Sequence, residues 1–347
     1  MDFVRRTTEH PITFGLWLLS VVVTLFFWRD PERIEAYELT ARWYEDQPWR
    51  LLSCTLPHGN LMHLVMNLLG VLSFGRILER TLGPLKLLGI TVVTGTVASA
   101  AEYAVLRGGI GLSGILYGYF GYLLVQGHRD QRLWGALDSN TKATAWVWFF
   151  LCIAMEIFGS SNVANWAHGG GLASGYLLGR SVRAKRAERI WAPLAVVALV
   201  VAVLLAASVF RHRVNFARIG PIDLYDLTAA ALKDEDFERA VDYGERALRY
   251  RHVWSGASYN LGLARFKLGR FEDAKAALLV AADAPGSTDE QRSDVYEILG
   301  LIALELNDPK GALEAFGRSL DLNPEDGEVR DHYEEVRRAL APASEKK

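Results

Sequence analysis

Two polar residues stand at the starts of apolar segments, where a polar side chain is costly unless it has a use. Ser113 lies in the sequence GLSG at 111–114, and His168 lies in AHGGG at 167–171. A serine in a membrane helix can bond a carbonyl one turn back, but an ionisable histidine there indicates a functional site. If the two side chains lie at the same depth in the bilayer, they would form an activated nucleophile and its general base. The chemistry this predicts is peptide-bond hydrolysis in or at the edge of a bilayer.

Seven apolar stretches are candidates for the helices that must hold these two residues. A spanning helix needs about 20 mostly apolar residues. Several of the stretches are shorter and rich in Gly, Ser, Thr and Ala, which is typical of helices packed against each other. The first stretch has no small-residue cleavage site behind it, so we interpret it as a span and not as a signal peptide. The predicted spans are Ile12–Trp28, Gly59–Phe74, Leu85–Leu106, Leu112–Val125, Ala143–Phe158, Trp166–Leu178 and Ile190–Phe210.

The distribution of Lys and Arg predicts the orientation of these spans, because short cytoplasmic connections carry an excess of both. Alternate connections are basic, which places the N-terminus in the cytoplasm and, after a seventh span, the C-terminal region outside it. The segments that begin at Ser113, at His168 and near residue 58 then all enter the bilayer from the outer side. The basic residues of the predicted cytoplasmic connections are Arg5, Arg6, Arg76, Arg80, Lys86, Arg129, Arg132, Lys142, Arg180, Arg183, Lys185, Arg186 and Arg189.

Glycines surround both residues of the pair. Those beside Ser113 let the chain turn and let neighbouring helices approach closely, and free N–H groups at a helix start would face a developing negative charge. Gly171, Gly175 and Gly179 follow His168 at i+3, i+7 and i+11. They share its helix face and would carry it against the serine helix. The alternative is a small-residue packing motif with a histidine bonded to a carbonyl; the equal depth of the pair favours catalysis.

His63 and Asn67 stand four residues apart, on one face of the second span. A neutral imidazole and an amide can both donate hydrogen bonds to an oxyanion, so both are candidates for that role. Hydrogen bonding between helices is the alternative role for this pair. His58 precedes them and is expected nearer the surface.

Four motifs occur in order over about residues 12–210 of the chain. They are Trp49-Arg50, His58-x4-His63-x3-Asn67, Gly111-x-Ser113-Gly114 and Ala167-His168-x2-Gly171-x3-Gly175. Each motif alone is weak, but the set in this order resembles the rhomboid family of intramembrane serine proteases.

The resemblance implies a role for each matching residue. Ser113 would be the nucleophile and His168 the base of a dyad that has no third acid. The Ser113 N–H, His63 and Asn67 would form the oxyanion hole. Tyr117 would pack on the histidine, and the 49–50 pair would lie in a loop that dips into the membrane edge. The supporting positions are Tyr117, Gly111, Gly114, Gly171, Gly175, His58, Trp49 and Arg50.

Two features depart from the family pattern. Gly169 and Gly170 extend the glycine run after His168, and extra glycine would loosen the placement of the histidine. A further span after the six-helix core makes the bundle six plus one, which accounts for an external C-terminus.

Composition divides the chain near Phe210 and excludes several classes of protein. Up to that residue there are 18 basic and 14 acidic residues, and after it there are 20 and 26. Cys54 and Cys152 lie in apolar surroundings and are expected as two buried thiols. The sequence has no metal-ligand spacing of His, Cys and carboxylates, no phosphate-binding glycine loop and no basic stripe. We therefore expect no metal, no cofactor and no nucleic-acid partner.

The sequence after about Pro221 repeats. Small residues recur from Ala240 to Ala274 and then to Ala312, at offsets of 34 and 38, close to the 34-residue period of tetratricopeptide helix pairs. The pattern predicts about three such repeats, with an enlarged connection at Pro285–Asp289 and a polar capping helix over Glu328–Leu340. Such stacks generally bind a peptide or protein on a concave face, and a simple spacer is the alternative.

Together these observations predict an all-α protein. A polytopic membrane bundle of about seven helices would occupy residues 1–210, a linker 211–220, a soluble α-solenoid 221–341 and a tail 342–347. The expected function is an intramembrane serine endopeptidase of a bacterial plasma membrane. It would cleave single-pass transmembrane proteins near their outer boundary, with the repeats recruiting substrate or partner. A rhomboid-like client binder without proteolysis and a membrane-anchored repeat scaffold are the alternatives.

Overall fold

The computed structural model describes residues 9–29, 39–106, 108–158, 163–182, 184, 188–215, 220–250 and 254–341. Every regular element within these ranges is a helix, which confirms the all-α prediction. The contacts divide the chain into two compact units, Met1–Ile219 and Gly220–Lys347. Several predictions fall outside the described residues: the tail 342–347, the 216–219 part of the linker, and the basic residues Arg5, Arg6, Arg183, Lys185 and Arg186.

Five described helices of the first unit are long and apolar enough to cross a bilayer. They are α1 (Pro11–Arg29), α4 (Leu61–Leu82), α5 (Pro84–Val105), α7 (Ser139–Phe158) and α9 (Glu188–Ala207). The other two predicted spans form the shorter helices α6 (Ser113–Gln126) and α8 (Asn165–Ser181). Brief helical turns complete the unit: α2 (Arg42–Glu45), α3 (Arg50–Ser53), a 3₁₀ turn at Gln131–Leu133, and α10 (Arg211–Val214).

The short helix α6 differs from the long helices α7 and α9 in what surrounds it. Most side chains of α6 are buried, whereas α7 and α9 bury only 6% and 11% of their most apolar windows. Because α6 packs against other helices and not against lipid, bilayer thickness does not set its length. The expected seven spans are thus five helices of bilayer length, with two shorter helices packed among them, in the part of the chain that the structure describes.

The second predicted span was wrong at its far end. The sequence predicts a stop at Phe74, but α4 continues through a π-helical turn at Val71–Gly75 and ends at Leu82. Arg76 and Arg80 therefore lie in its last turns and not in a connection.

A buried carboxylate accounts for this extension of α4. Glu79 accepts hydrogen bonds from the backbone N–H groups of Ile12 at 2.8 Å and Thr13 at 2.9 Å, and from the Thr13 hydroxyl at 2.7 Å. These are free donors at the start of α1. The last turns of α4 are thus held against α1, and the sequence pattern alone carries no sign of that partner.

A seam of glycines joins α6 to α8. A Cβ atom added to Gly171 would lie 1.9 Å from the carbonyl oxygen of Gly114, and one added to Gly175 would lie 1.9 Å from that of Gly118. Both distances are far below van der Waals contact, so the two backbones touch with no side chain between them. We call these four residues the glycine seam.

Basic residues at the C-terminal ends of α6 and α8 meet at one place. Arg129 donates two hydrogen bonds to the carboxylate of Glu188, at 2.8 and 2.9 Å, and Arg180 pairs with the same carboxylate. Arg129 follows the end of α6 and Arg180 lies in the last turn of α8, whereas Ser113 and His168 stand at the N-terminal ends. The cations and the serine–histidine pair therefore lie at opposite ends of α6 and α8.

The second unit consists of helices arranged in consecutive antiparallel pairs with a last helix beside them. Small residues lie fully buried where the helices cross, among them Ala240, Ala274 and Ala312. Thr288 forms a reciprocal capping box with Gln291 at the start of one helix. The helices are α11 (Gly220–Lys233), α12 (Phe237–Tyr250), α13 (Ser255–Lys267), α14 (Phe271–Asp283), α15 (Asp289–Glu305), α16 (Pro309–Leu322) and α17 (Gly327–Leu340).

Candidate active site

Ser113 and His168 lie in direct contact. Ser113 is the first residue of α6, and His168 lies in the first turn of α8. Their Oγ and Nε2 atoms are 2.9 Å apart, which is a hydrogen bond. His168 is buried, and its other ring nitrogen, Nδ1, has no hydrogen-bond partner among the described residues. The site therefore joins a hydroxyl to one imidazole nitrogen, without a described third group behind the ring.

The glycine seam explains how two residues 55 positions apart reach this distance. Gly114 follows Ser113 directly, and Gly171 follows His168 by one turn, so the closest backbone contact lies beside the pair. Gly114 also has Ala98 of α5 next to it, 2.5 Å from where a Cβ would stand. Gly169 has open space at its Cβ position within the described residues. It is thus the glycine of this run that no contact requires.

Tyr117 supports the ring of His168. It lies one turn after Ser113, is nearly buried, and its ring centroid is 4.7 Å from that of His168. Phe149 of α7 also packs edge-on against the Tyr117 ring, and the two ring centroids are 5.3 Å apart. This aromatic contact restricts the imidazole of His168, whose Nδ1 has no polar partner in the described part of the chain.

His63 of α4 lies against the loop that precedes Ser113, and Asn67 follows it one turn later on the same helix. A Cβ on Gly111 would stand 2.7 Å from Cε1 of His63, so the imidazole packs directly on this glycine. Gly111 also has φ +102°, a conformation that side chains rarely adopt. Asn67 is buried and donates one amide N–H to the carbonyl of His63 at 2.9 Å. Its amide nitrogen carries a second N–H.

His58 was expected near the surface, and this was wrong: it is fully buried. Its Nδ1 bonds the carbonyl of Leu56 at 2.9 Å, and its Nε2 accepts the backbone N–H of Leu112 at 3.4 Å. Trp28 of α1 covers it and donates its indole N–H to the His58 carbonyl at 2.8 Å. His58 thus supports the loop before Ser113 through its bond to Leu112.

Trp49 and Arg50 lie at the start of α3 and have opposite environments. Trp49 exposes 58% of its surface, while Arg50 is buried and donates its Nε–H to the side chain of Gln47. An exposed tryptophan suits a membrane interface, where an apolar ring with a polar N–H is favoured.

Glu102 is a buried residue that the sequence analysis did not single out. It lies near the end of α5, and its Oε2 accepts the backbone N–H of Ala167 at 3.0 Å, directly before His168. The available signal was a lone carboxylate inside the apolar stretch 85–106, since such a group in a membrane helix is costly unless it is used.

Comparisons with known proteins agree with this architecture. A model of the rhomboid domain matches residues 45–185, and a tetratricopeptide-repeat model matches residues 293–326. Among curated proteins, the chain is 31% identical over 136 residues to RHOMBOID-like protein 4 of Arabidopsis thaliana, covering 39% of this chain and 34% of that one.

Two bacterial relatives are named rhomboid protease GlpG. The protein of Pectobacterium atrosepticum is 29% identical over 178 residues, covering 48% of this chain and 61% of the relative. That of Klebsiella pneumoniae is 32% identical over 176 residues, covering 49% and 62%. The chain thus spans between about a third and three fifths of the length of these relatives. Residues 45–185 are a rhomboid domain of a multi-pass membrane protein, and the same chain carries a tetratricopeptide repeat.

Proposed function

We propose that this protein is an intramembrane serine endopeptidase that cleaves single-pass transmembrane proteins near their outer membrane boundary. The observation that carries the proposal is the 2.9 Å contact between Ser113 Oγ and His168 Nε2 inside an apolar bundle. Relatives named rhomboid proteases support it. With its proton on Nδ1, the imidazole accepts the Ser113 hydroxyl proton at Nε2 as the oxygen attacks a peptide carbonyl.

The proposed oxyanion donors are the Ser113 N–H, the second amide N–H of Asn67 and the ring of His63. The first is one of the free donors at the start of α6. His63 packs on Gly111 of the loop before Ser113, and Asn67 bonds the His63 carbonyl one turn away. Donors held in place before reaction stabilise the tetrahedral intermediate without reorganisation. The imidazolium then protonates the leaving amine, and a water activated by the same ring releases the acyl group.

We propose further that the serine–histidine end of the bundle faces outward from a bacterial plasma membrane, with the N-terminus in the cytoplasm. The convergence of Arg129 and Arg180 at the opposite end supports this orientation, because basic residues concentrate on the cytoplasmic side. The repeats would then be extracytoplasmic, where we propose that they recruit the substrate or a partner protein.

Cleavage of a single-pass substrate by the protein in liposomes tests this function. Ser113→Ala is expected to lower the rate by at least about 10³-fold, since removal of a nucleophile has effects of this order or larger, and to abolish labelling by a fluorophosphonate. Ser73→Ala removes an exposed serine of α4 that bonds its own helix and should keep full activity. Intact protein that neither cleaves several substrates nor reacts with the probe would instead support a non-proteolytic client binder.

The same assay on protein without residues 220–347 tests whether the repeats recruit the substrate. The turnover of membrane substrates should fall, while labelling of Ser113 by the probe should persist.

A further inference from the structure

The helix that carries His168 begins without a cap of its own. Residue Ala164 occupies the N-cap position of α8 and has no side chain that could accept a hydrogen bond. The first turn of a helix has backbone N–H groups without intrahelical partners, and inside an apolar bundle these need an acceptor. The residues that immediately precede the base therefore depend on a group from elsewhere in the chain.

Glu102 of α5 provides that acceptor. Its Oε2 lies 3.0 Å from the backbone nitrogen of Ala167 and accepts that N–H. The side chain is buried. The two bonded residues are 65 positions apart in the sequence. A carboxylate at a helix N-terminus is favoured by the helix dipole as well as by the hydrogen bonds.

The placement of this contact connects it to catalysis. Ala167 is the neighbour of His168, and the imidazole has no acceptor at Nδ1 among the described residues to hold its orientation. The ring position therefore depends on where the backbone at 166–168 lies, on the Tyr117 ring and on the Ser113 contact. A displacement of about 1 Å at a reacting group can cost about 10²-fold in rate.

We propose that Glu102 is a positioning residue, which caps α8 from α5 and so holds His168 at hydrogen-bond distance from Ser113. This inference rests on the proposed protease function. It assigns the carboxylate to the acylation step, in which His168 must take the Ser113 proton, and gives it no contact with the substrate.

The chain offers a matched control for this role. Glu79 is also a buried glutamate that caps a helix from another helix, through the N–H groups of Ile12 and Thr13. Glu79 caps α1, and this helix carries neither Ser113 nor His168. Replacement of either glutamate should lower thermal stability, but only replacement of Glu102 should alter the chemistry of correctly folded molecules.

The test is the rate of Ser113 acylation by a fluorophosphonate, measured on the full chain in liposomes and normalised to folded protein. Glu102→Ala should slow acylation by about tenfold or more and lower kcat with KM unchanged. Glu102→Gln keeps an oxygen acceptor and should restore most of the rate. Hydrogen exchange at 166–168 should accelerate in Glu102→Ala and stay slow in Glu102→Gln. Glu79→Ala should acylate at the wild-type rate per folded molecule.

Four results would overturn the assignment. Normal acylation in Glu102→Ala with slow turnover would place Glu102 at the later hydrolytic step, where the small cavity that it lines together with Ser113 would be relevant. Equal losses in the Glu79 and Glu102 variants would leave only a structural role. Wild-type protein without labelling or cleavage would refute the protease function and this inference together, whereas an active wild type with a fully active Glu102→Ala variant would refute this inference alone.

Discussion

The two units place glycine at helix crossings for different purposes. In the membrane bundle, Cβ atoms on Gly171 and Gly175 would meet backbone carbonyl oxygens at 1.9 Å. In the repeats, a Cβ on Gly300 would meet the ring of Phe316 at 2.4 Å, and one on Gly262 would meet Cγ of Leu278 at 2.6 Å. Gly171 and Gly175 thus bring two backbones together in the first unit, whereas Gly262 and Gly300 of the second unit make room for a large apolar side chain.

The difference follows from the solvent of each unit. Lipid gives helices no hydrophobic reason to associate, so a bundle depends on the close approach that small residues allow. In water, burial of a leucine or phenylalanine is itself the driving force. A side chain can rotate or be replaced by a smaller one, whereas a carbonyl oxygen in a helix cannot move alone. We therefore expect the bundle to tolerate added volume much less than the repeats do.

The largest effect is expected at the glycine seam. Gly171→Ala should force α6 and α8 apart beside Ser113 and His168. If these are the reacting groups proposed above, a shift of about 1 Å should reduce the cleavage rate by about 10²-fold or more. Gly169→Ala is the matched control in the same glycine run, because its Cβ would enter open space among the described residues. Cleavage rates of both variants, normalised to folded protein, measure the difference. Similar losses in both would show that glycine here provides flexibility and not contact.

An intermediate effect is expected in the repeats. Gly300→Ala should lower the free energy of unfolding of this unit by about 1–3 kcal/mol, the usual cost of overpacking. Adding Phe316→Leu should recover part of that loss, because the contact is with a ring that can be reduced in size. Hydrogen exchange over residues 293–326 of the full chain gives the comparison. A double variant as unstable as the sum of two independent losses would contradict the distinction between the units.

The smallest effect is expected from charge in the repeats. Partial burial, and then the nearby acids Asp326, Glu328 and Asp294, raise the pKa of Glu297 above its usual value. A carboxyl with a raised pKa in the folded state binds its proton more tightly there than in the unfolded state. Stability therefore falls as the pH rises through the range just above the usual carboxyl pKa. Glu297→Gln should thus slow hydrogen exchange of α15 slightly at pH 7.

Two controls define this last prediction. The slowing should disappear at a pH below the usual carboxyl pKa, where the wild-type side chain is protonated in both states. Asp321 is an exposed acid of α16. Asp321→Asn therefore measures the effect of removing one negative charge from a side chain that is not buried. A gain in Glu297→Gln that persists in acid would mean that side-chain packing, and not ionisation, is responsible.

The sequence predicted the elements that depend on local pattern. The apolar stretches predicted the membrane helices, and the i+3, i+7 spacing predicted which face of α8 carries the glycines. In the structure, Gly171 and Gly175 of that face lie against α6. Ser113 and His168 were recognisable because a histidine at the start of an apolar segment is costly. The roles assigned to them stay predictions until activity is measured.

The sequence could not predict contacts between helices that are distant along the chain. His58 lies outside the predicted second span, and its contacts with Thr24 and Trp28 of α1 help to bury it. The length of α4 depends on Glu79 meeting the start of α1. In the same way, the lone Glu102 was visible in the sequence, but its partner Ala167 was not. Each of these depends on which helices become neighbours.

Gly111 shows how such contacts restrict substitution. Its φ of +102° disfavours a side chain, and the ring of His63 lies only 2.7 Å from where a Cβ would stand. A side chain at position 111 would therefore meet two restrictions at once, and a smaller residue at position 63 would remove only the second. The two positions are thus coupled in one direction: shrinking residue 63 does not make position 111 free to change.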